Sequence, residues 1–166
     1  MKIRKIEKSD ATEYLKMLVQ LDNESDKMML EPGERQSSVE REEGYIDFIK
    51  SSNSLVLVVE DGTSIVGYIS IERGWANQIK HTGFLVIGLL EKYRNQGLGT
   101  KLFEQAIDWS RNNGIHRIEL YVRSDNNSAI SLYKKMGFLI EGTKVHQLKV
   151  GDCYFDELIM AKISMR

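Results

Sequence analysis

The stretch Tyr93-Arg94-Asn95-Gln96-Gly97-Leu98-Gly99-Thr100-Lys101 sets two glycines one residue apart, with cationic side chains on either side. An apolar run, Phe84 to Leu90, precedes it and reads as a buried strand. After it, Leu98, Leu102, Phe103, Ala106, Ile107 and Trp109 recur at the spacing of one helix face. The chain therefore runs strand, tight loop, helix. Glycine at such a turn permits positive φ and lets a ligand approach the backbone closely. The first N–H groups of a helix have no internal acceptor, and the macrodipole adds partial positive charge there. The chemistry implied is a grip on phosphate or pyrophosphate by the amides of Asn95, Gln96, Gly97, Leu98 and Gly99, with a hydroxyl from Thr100. Arg94 and Lys101 either add charge to that grip or stand as a solvated basic pair.

Two common phosphate loops do not fit. The nucleotide loop Gly-x-x-x-x-Gly-Lys-Ser/Thr needs wider glycine spacing, and Thr100-Lys101 runs in the opposite order. No metal-binding carboxylate set accompanies the glycines, so phosphoryl transfer is disfavoured. The dinucleotide fingerprint Gly-x-Gly-x-x-Gly fails at its third glycine, where Leu102 stands. What remains is Arg94-x-x-Gly97-x-Gly99. A second stretch accompanies it. Ile115 to Val122 reads as a buried strand, Ser124 to Ser128 as a capping cluster, and Ser128 to Met136 as a helix closed by Gly137. Asn126, Ala129 and Tyr133 lie at i, i+3 and i+7, on one face. Together, Arg94-x-x-Gly97-x-Gly99 and Asn126-x-x-Ala129-x-x-Leu132-Tyr133-x-x-x-Gly137-Phe138 resemble, in the right order, the two coenzyme motifs of the GNAT superfamily of acyl-coenzyme A N-acyltransferases.

The resemblance implies an acetyl-CoA-dependent N-acetyltransferase of the acyl-CoA N-acyltransferase fold, with acetyl-CoA as co-substrate and no metal. It implies that the loop from Arg94 to Lys101 holds the pyrophosphate. It further implies that the strand before the loop splays from its neighbour, and that the pantetheine arm pairs with its backbone around Ile87 to Leu89, close to Leu90. Gly88 is consistent with a bulge there. Asn126 and Ala129 belong to the same coenzyme site, and Tyr133 would meet the departing sulfur. A free thiol titrates near 8.5 and a tyrosine near 10, so full proton transfer from Tyr133 is uphill by about 2 kcal/mol. The acceptor amine must lose a proton, and the family often supplies a carboxylate for that. None lies within Phe84 to Leu90, so Glu72 at the end of the preceding strand is the candidate base, with Glu91 and His81 as alternatives. A non-catalytic acyl-CoA-binding module is the rival reading. Cys153 sits far from both motifs, which argues against a covalent enzyme intermediate and for direct attack in a ternary complex.

These residues need a scaffold. Lys2 to Ile6 reads as a strand, Ser9-Asp10 as the cap of a helix to about Leu21, and Asp22 to Ser37 as a loop holding Pro32. Ser37-x-x-Glu40 reads as a capping box for a second helix, to about Lys50. Leu55 to Glu60 and Ile65 to Glu72 form a hairpin about Asp61-Gly62. Phe138 to Lys149 and Tyr154 to Ile163 are the last strands. This order predicts an α/β (α+β) fold, a mixed, largely antiparallel sheet of about seven strands with helices on both faces. The 166 residues fit one domain, 1–166. A net charge of −1 without a basic stripe argues against a duplex nucleic acid partner. No run is long enough to span a membrane, and the N-terminus is unlike a signal peptide, so a cytoplasmic protein is expected. Its histidines and single cysteine lack metal-site spacing. Asp22 to Glu43 holds eight acids against three bases, an excess suited either to a cationic acceptor or to plain solvation. The acceptor is open between a small amine, such as a polyamine or an antibiotic, and a protein amino group. A homodimer through the last strands is a further implication of the resemblance.

Overall fold

A computed structural model of the chain describes residues 1–164. Seven strands form one sheet: β1 (Lys2–Lys5), β2 (Leu55–Asp61), β3 (Ser64–Arg73), β4 (Thr82–Leu89), β5 (Arg117–Arg123), β6 (Leu139–Val150) and β7 (Cys153–Ile163). Their spatial order is β1-β2-β3-β4-β5-β7-β6. Every neighbouring pair is antiparallel except β4 and β5. A parallel pair needs a crossover, and α3 (Leu98–Asn112) supplies it. The other helices are α1 (Ala11–Glu24), α2 (Val39–Ser51) and α4 (Asn127–Lys135). A fully buried run from Leu55 to Val59 marks β2 as a strand covered on both faces.

Two neighbouring residues of β4 show which helices cover which face. Gly88 packs under Leu21 of α1 and beside Tyr68, which meets Tyr14 of α1 edge-on at 5.6 Å. Its neighbour Leu89 points the other way and reaches Gly99 of α3. Thus α1 and α2 lie on one face, and α3 with α4 on the other. Phe103 of α3, Tyr133 of α4 and Phe138 form an aromatic cluster on that second face, with centroids 5.5 to 6.3 Å apart.

The feature that positions the site is a short ladder. β4 and β5 pair only through Thr82↔Arg117, Gly83↔Ile118 and Phe84↔Glu119. Beyond that point the strands diverge, and a gap opens between them toward their C-terminal ends. On its other edge β4 stays paired with β3 without a register shift, from Arg73↔Gly83 to Gly67↔Leu89.

Three expectations are corrected. There is no bulge at Gly88; a Cβ there would lie 2.7 Å from Leu21 Cδ1 and 3.1 Å from Tyr68, so glycine admits α1 against the sheet. The first helix continues past Leu21 to Glu24 and is preceded by a 3-10 turn, Lys8–Asp10. Asp10 donates no cap to it; its carboxylate accepts from the Glu7 amide and from Arg4. The second helix is capped by Ser38, whose Oγ accepts from the Arg41 amide at 3.2 Å, while the Ser37 hydroxyl donates to Glu42.

Candidate active site

The loop after β4 is shaped by backbone angles. A 3-10 turn, Glu91–Tyr93, leads out of the strand. Asn95 (φ 59°) and Gly97 (φ 76°) are both left-handed, which aims the following amides into one concavity. At Gly97 that angle would cost any residue with a Cβ. Gly97 is also the N-cap of α3, with no side chain capping it. Among the described residues, nothing accepts from the amides of Asn95, Gln96, Gly97, Leu98, Gly99 or Thr100. A row of free N–H groups at the N-terminus of a four-turn helix is an anion cradle.

The remaining loop residues have mixed roles. Arg94 Nε donates to the Leu89 carbonyl at 2.9 Å, so this side chain closes the loop first and offers charge second. Gln96 Nε2 donates to the Lys92 carbonyl. Leu98 is buried and anchors α3, whereas Lys101 is exposed. Leu90 offers little to a ligand, because its side chain is buried and its amide donates to Val66 O at 3.0 Å. That same bond fixes the alternation of the antiparallel ladder. Gly88 and Val86 therefore turn their main-chain groups toward β3, and Ile87 and Leu89 turn theirs into the gap. Leu89 thus sits where a ligand strand would pair, though its carbonyl is taken by Arg94.

Across the gap lies α4. Asn126 is its N-cap, and Oδ1 accepts from the Ala129 amide at 3.4 Å. The i, i+3 spacing of Asn126 and Ala129 is thus accounted for by capping. Tyr133 is 8% exposed, and burial pushes its phenol up to about 12. Against a thiol near 8.5, outright proton transfer is then uphill by about 5 kcal/mol, more than ordinary values suggest. The residue is equipped to donate a hydrogen bond.

Glu72 lies on the opposite face. It pairs with Phe84, which pairs with Glu119 in the last rung before the gap. Directly opposed residues share a face, so Glu72, Phe84 and Glu119 form a row at the vertex of the splay. The Tyr45 hydroxyl of α2 donates to Glu72 Oε1 at 2.8 Å. Burial, then the Glu72 carboxylate, holds that phenol well above its ordinary value, so Tyr45 remains a donor that orients Glu72. The helical periodicity around Tyr45 carries no sign of this carboxylate. Sequence reasoning also missed the half-exposed pair Phe84 and Tyr121, edge-on at 4.9 Å, with Lys144 Nζ 3.7 Å above the Tyr121 ring. The other base candidates are less well placed. His81 is exposed before β4 begins, away from the gap, and Glu91 is exposed in the loop beyond it.

The acidic segment 22–43 is less available than its composition suggests. Asp22 is buried against Arg35 at 2.6 Å, Glu42 is buried against Ser37, and Asp26 is engaged by Arg123 and Lys27. Several of these acids are thus engaged within the fold, while Glu31, Glu34 and Glu40 stay exposed.

Known proteins match this architecture. The model of the acetyltransferase (GNAT) family matches residues 16–138. An acetyltransferase of the GNAT family from Streptococcus pneumoniae superposes with a TM-score of 0.94 at 30% identity, over 98% of this chain and 99% of that one. The chain belongs to the GNAT acetyltransferase family. The structure of yncA from Salmonella typhimurium with acetyl-CoA shares the fold, with a TM-score of 0.87 at 20% identity over 98% and 93% of the two chains. Among sequence relatives, the mycothiol acetyltransferase of Corynebacterium efficiens is 38% identical over 51% of this chain and 28% of its own length. The L-amino acid N-acetyltransferase AaaT of Escherichia coli K12 is 35% identical over 60% of this chain and 62% of its own. The chain thus spans less than two thirds of these two curated relatives.

Proposed function

We propose that the protein is an N-acetyltransferase that moves the acetyl group of acetyl-CoA to a primary amine by direct attack in a ternary complex. One observation carries this reading. The unpaired amides of Asn95 to Thr100 cap a gap lined by the backbone of Ile87 and Leu89, with Tyr133 on one face of the sheet and Glu72 on the other. The cradle matches a diphosphate in charge and the open strand edge matches an amide-bearing arm. Family membership supports the same assignment.

In this reading Glu72, oriented by Tyr45, receives the amine's proton directly or through water. The amine lone pair then forms the C–N bond, and the C–S bond breaks with its electron pair on sulfur. A main-chain N–H of the gap edge stabilises the oxyanion between those events. The Tyr133 hydroxyl steadies the leaving thiolate by hydrogen bonding, and the second amine proton, released from nitrogen once the C–N bond has formed, passes to solvent to leave a neutral amide. Both a small amine and a protein amino group suit an acceptor entering on the Glu72 face, beside Phe84 and Tyr121. We further propose that two copies associate through the last strands. β6 is the outermost strand of the sheet, and Leu139, Val145 and Tyr154 on the last hairpin are exposed. Sedimentation at several concentrations tests that point.

The function is tested by titrating coenzyme A into the protein calorimetrically, then following thiol release from acetyl-CoA over a panel of polyamines, amino acids and N-terminal peptides. Heat of binding with amine-dependent thiol release is expected. Heat without release under any amine would identify a binding module, and absence of heat would remove the coenzyme assignment altogether.

A further inference from the structure

The end of α1 touches both walls of the β4–β5 gap. Glu24, the last residue of that helix, accepts from the Glu91 amide just beyond β4 at 2.7 Å. Two residues on, the Asp26 carbonyl accepts from Arg123 Nη1 at 2.8 Å, and its carboxylate accepts from Nη2 at 3.0 Å. Arg123 is the last residue of β5 and is buried, at 5% exposure. Its Nε and Nη2 also fork onto Asp125 at 2.7 and 3.0 Å, and its guanidinium lies 4.1 Å from the centre of the Phe155 ring. Lys27 adds a second bridge to Asp125 at 3.0 Å. Segment 24–27 therefore joins the two strands where their own ladder has ended.

A planar guanidinium with this many partners is held in one orientation. The diverging strands share no hydrogen bonds beyond Phe84 and Glu119, so their separation must be set by something else. We infer that segment 24–27 is a brace across the mouth of the gap, and that Arg123 is the positioning residue that anchors it and so fixes the width of the slot for the thioester arm. The inference rests on the coenzyme reading above. The brace also begins the 25–38 segment on the acceptor side, so the two substrate surfaces are held by one piece of chain.

The test is coenzyme A affinity by calorimetry in wild type, Glu24→Ala, Arg123→Gln and the double variant, with thermal unfolding measured beside it. Each single change raises Kd about tenfold through loss of placement. The double change raises it no further, because release of either end frees the same segment. Glu24→Ala is the more telling variant, since removing a negative charge near an anion cradle would by charge alone tighten binding. Arg4→Gln is the control: Arg4 pairs with Asp10 and Glu60 at the far edge of the sheet, so it lowers the melting temperature and leaves Kd unchanged. If Arg123→Gln does not fold, Asp26→Ala takes its place in the same cycle. The brace is overturned if Glu24→Ala binds as well as wild type or better, or if the single effects multiply in the double. If wild type itself gives no heat, the coenzyme reading fails first and takes the brace with it.

Discussion

A phenol buried beside Phe103 and Phe138 and held up to about 12 is a hydrogen-bond donor at every physiological pH. Replacing Tyr133 by Phe should lower kcat by about a hundredfold, the lower end of what loss of one positioned hydrogen-bond donor to developing charge costs. Coenzyme A affinity should stay within about twofold, because the proposed grip on the coenzyme is the amide cradle. A wild-type turnover in that variant would take Tyr133 out of the mechanism. The same residue shapes alkaline stability. Unfolded tyrosine ionises near 10 and the folded phenol only near 12, so its stabilising contribution is complete below pH 10 and is lost as pH rises toward 12. That contribution is about 3 kcal/mol, and Tyr133→Phe should flatten this part of a urea-melt profile. The glycine loop was legible from two glycines set after an apolar strand, whereas a role for Tyr133 came only through the resemblance of the two motifs, since by spacing alone it reads as a core aromatic. The Tyr45–Glu72 pair was not fully legible, since its meaning depends on which strand lies under α2, which local periodicity does not record.

Among the elements, β4 is the most constrained. It must pair fully with β3, release β5 after three rungs, and accept α1 at close range. Gly88 meets the last demand. Gly88→Ala should destabilise by about 1–3 kcal/mol through overpacking against Leu21 and Tyr68, measured as a shift in urea midpoint at constant m-value. An unchanged midpoint would show that α1 can yield there. Gly97→Ala tests the loop instead: a left-handed angle costs a residue with a Cβ about 1–2 kcal/mol, and coenzyme A affinity should fall as the amides turn away. Most strands and helices were readable from periodicity, but the order β5-β7-β6, with the last strand inserted beside β5, was not, because no local turn records which edge a returning strand joins. Cap positions slipped by a residue at Ser37 and Ser38, because adjacent serines both satisfy the capping pattern and only the chain's entry angle chooses between them. The splay itself left no mark in local sequence. The end of a ladder is decided by what stands across it.

Over the whole molecule, several ion pairs tie together segments distant in sequence, Arg123 to Asp26 and Arg117 to Glu141 among them. Asp125 is held at about 2 by Arg123, and Asp26, Asp10 and Glu141 are likewise depressed by arginine partners. A depressed carboxylate stabilises the fold above its unfolded value, near 4, and loses that contribution as pH falls toward its folded value. Acid unfolding should therefore deepen between about pH 4 and 2, and Arg123→Gln should show a shallower slope in that window. An equal slope would mean that Asp125 finds other compensation. The sheet order carries one more consequence. Strands β1 to β4 and strands β5 to β7 are each contiguous in sequence, and the seam between them has three rungs. A chain cut in the turn between α3 and β5 would yield two fragments, each with a complete half-sheet, whose reassembly depends on few main-chain bonds. A ligand lodged in that seam would act as a rivet, adding about 2.7 kcal/mol to their association at a hundred times its dissociation constant.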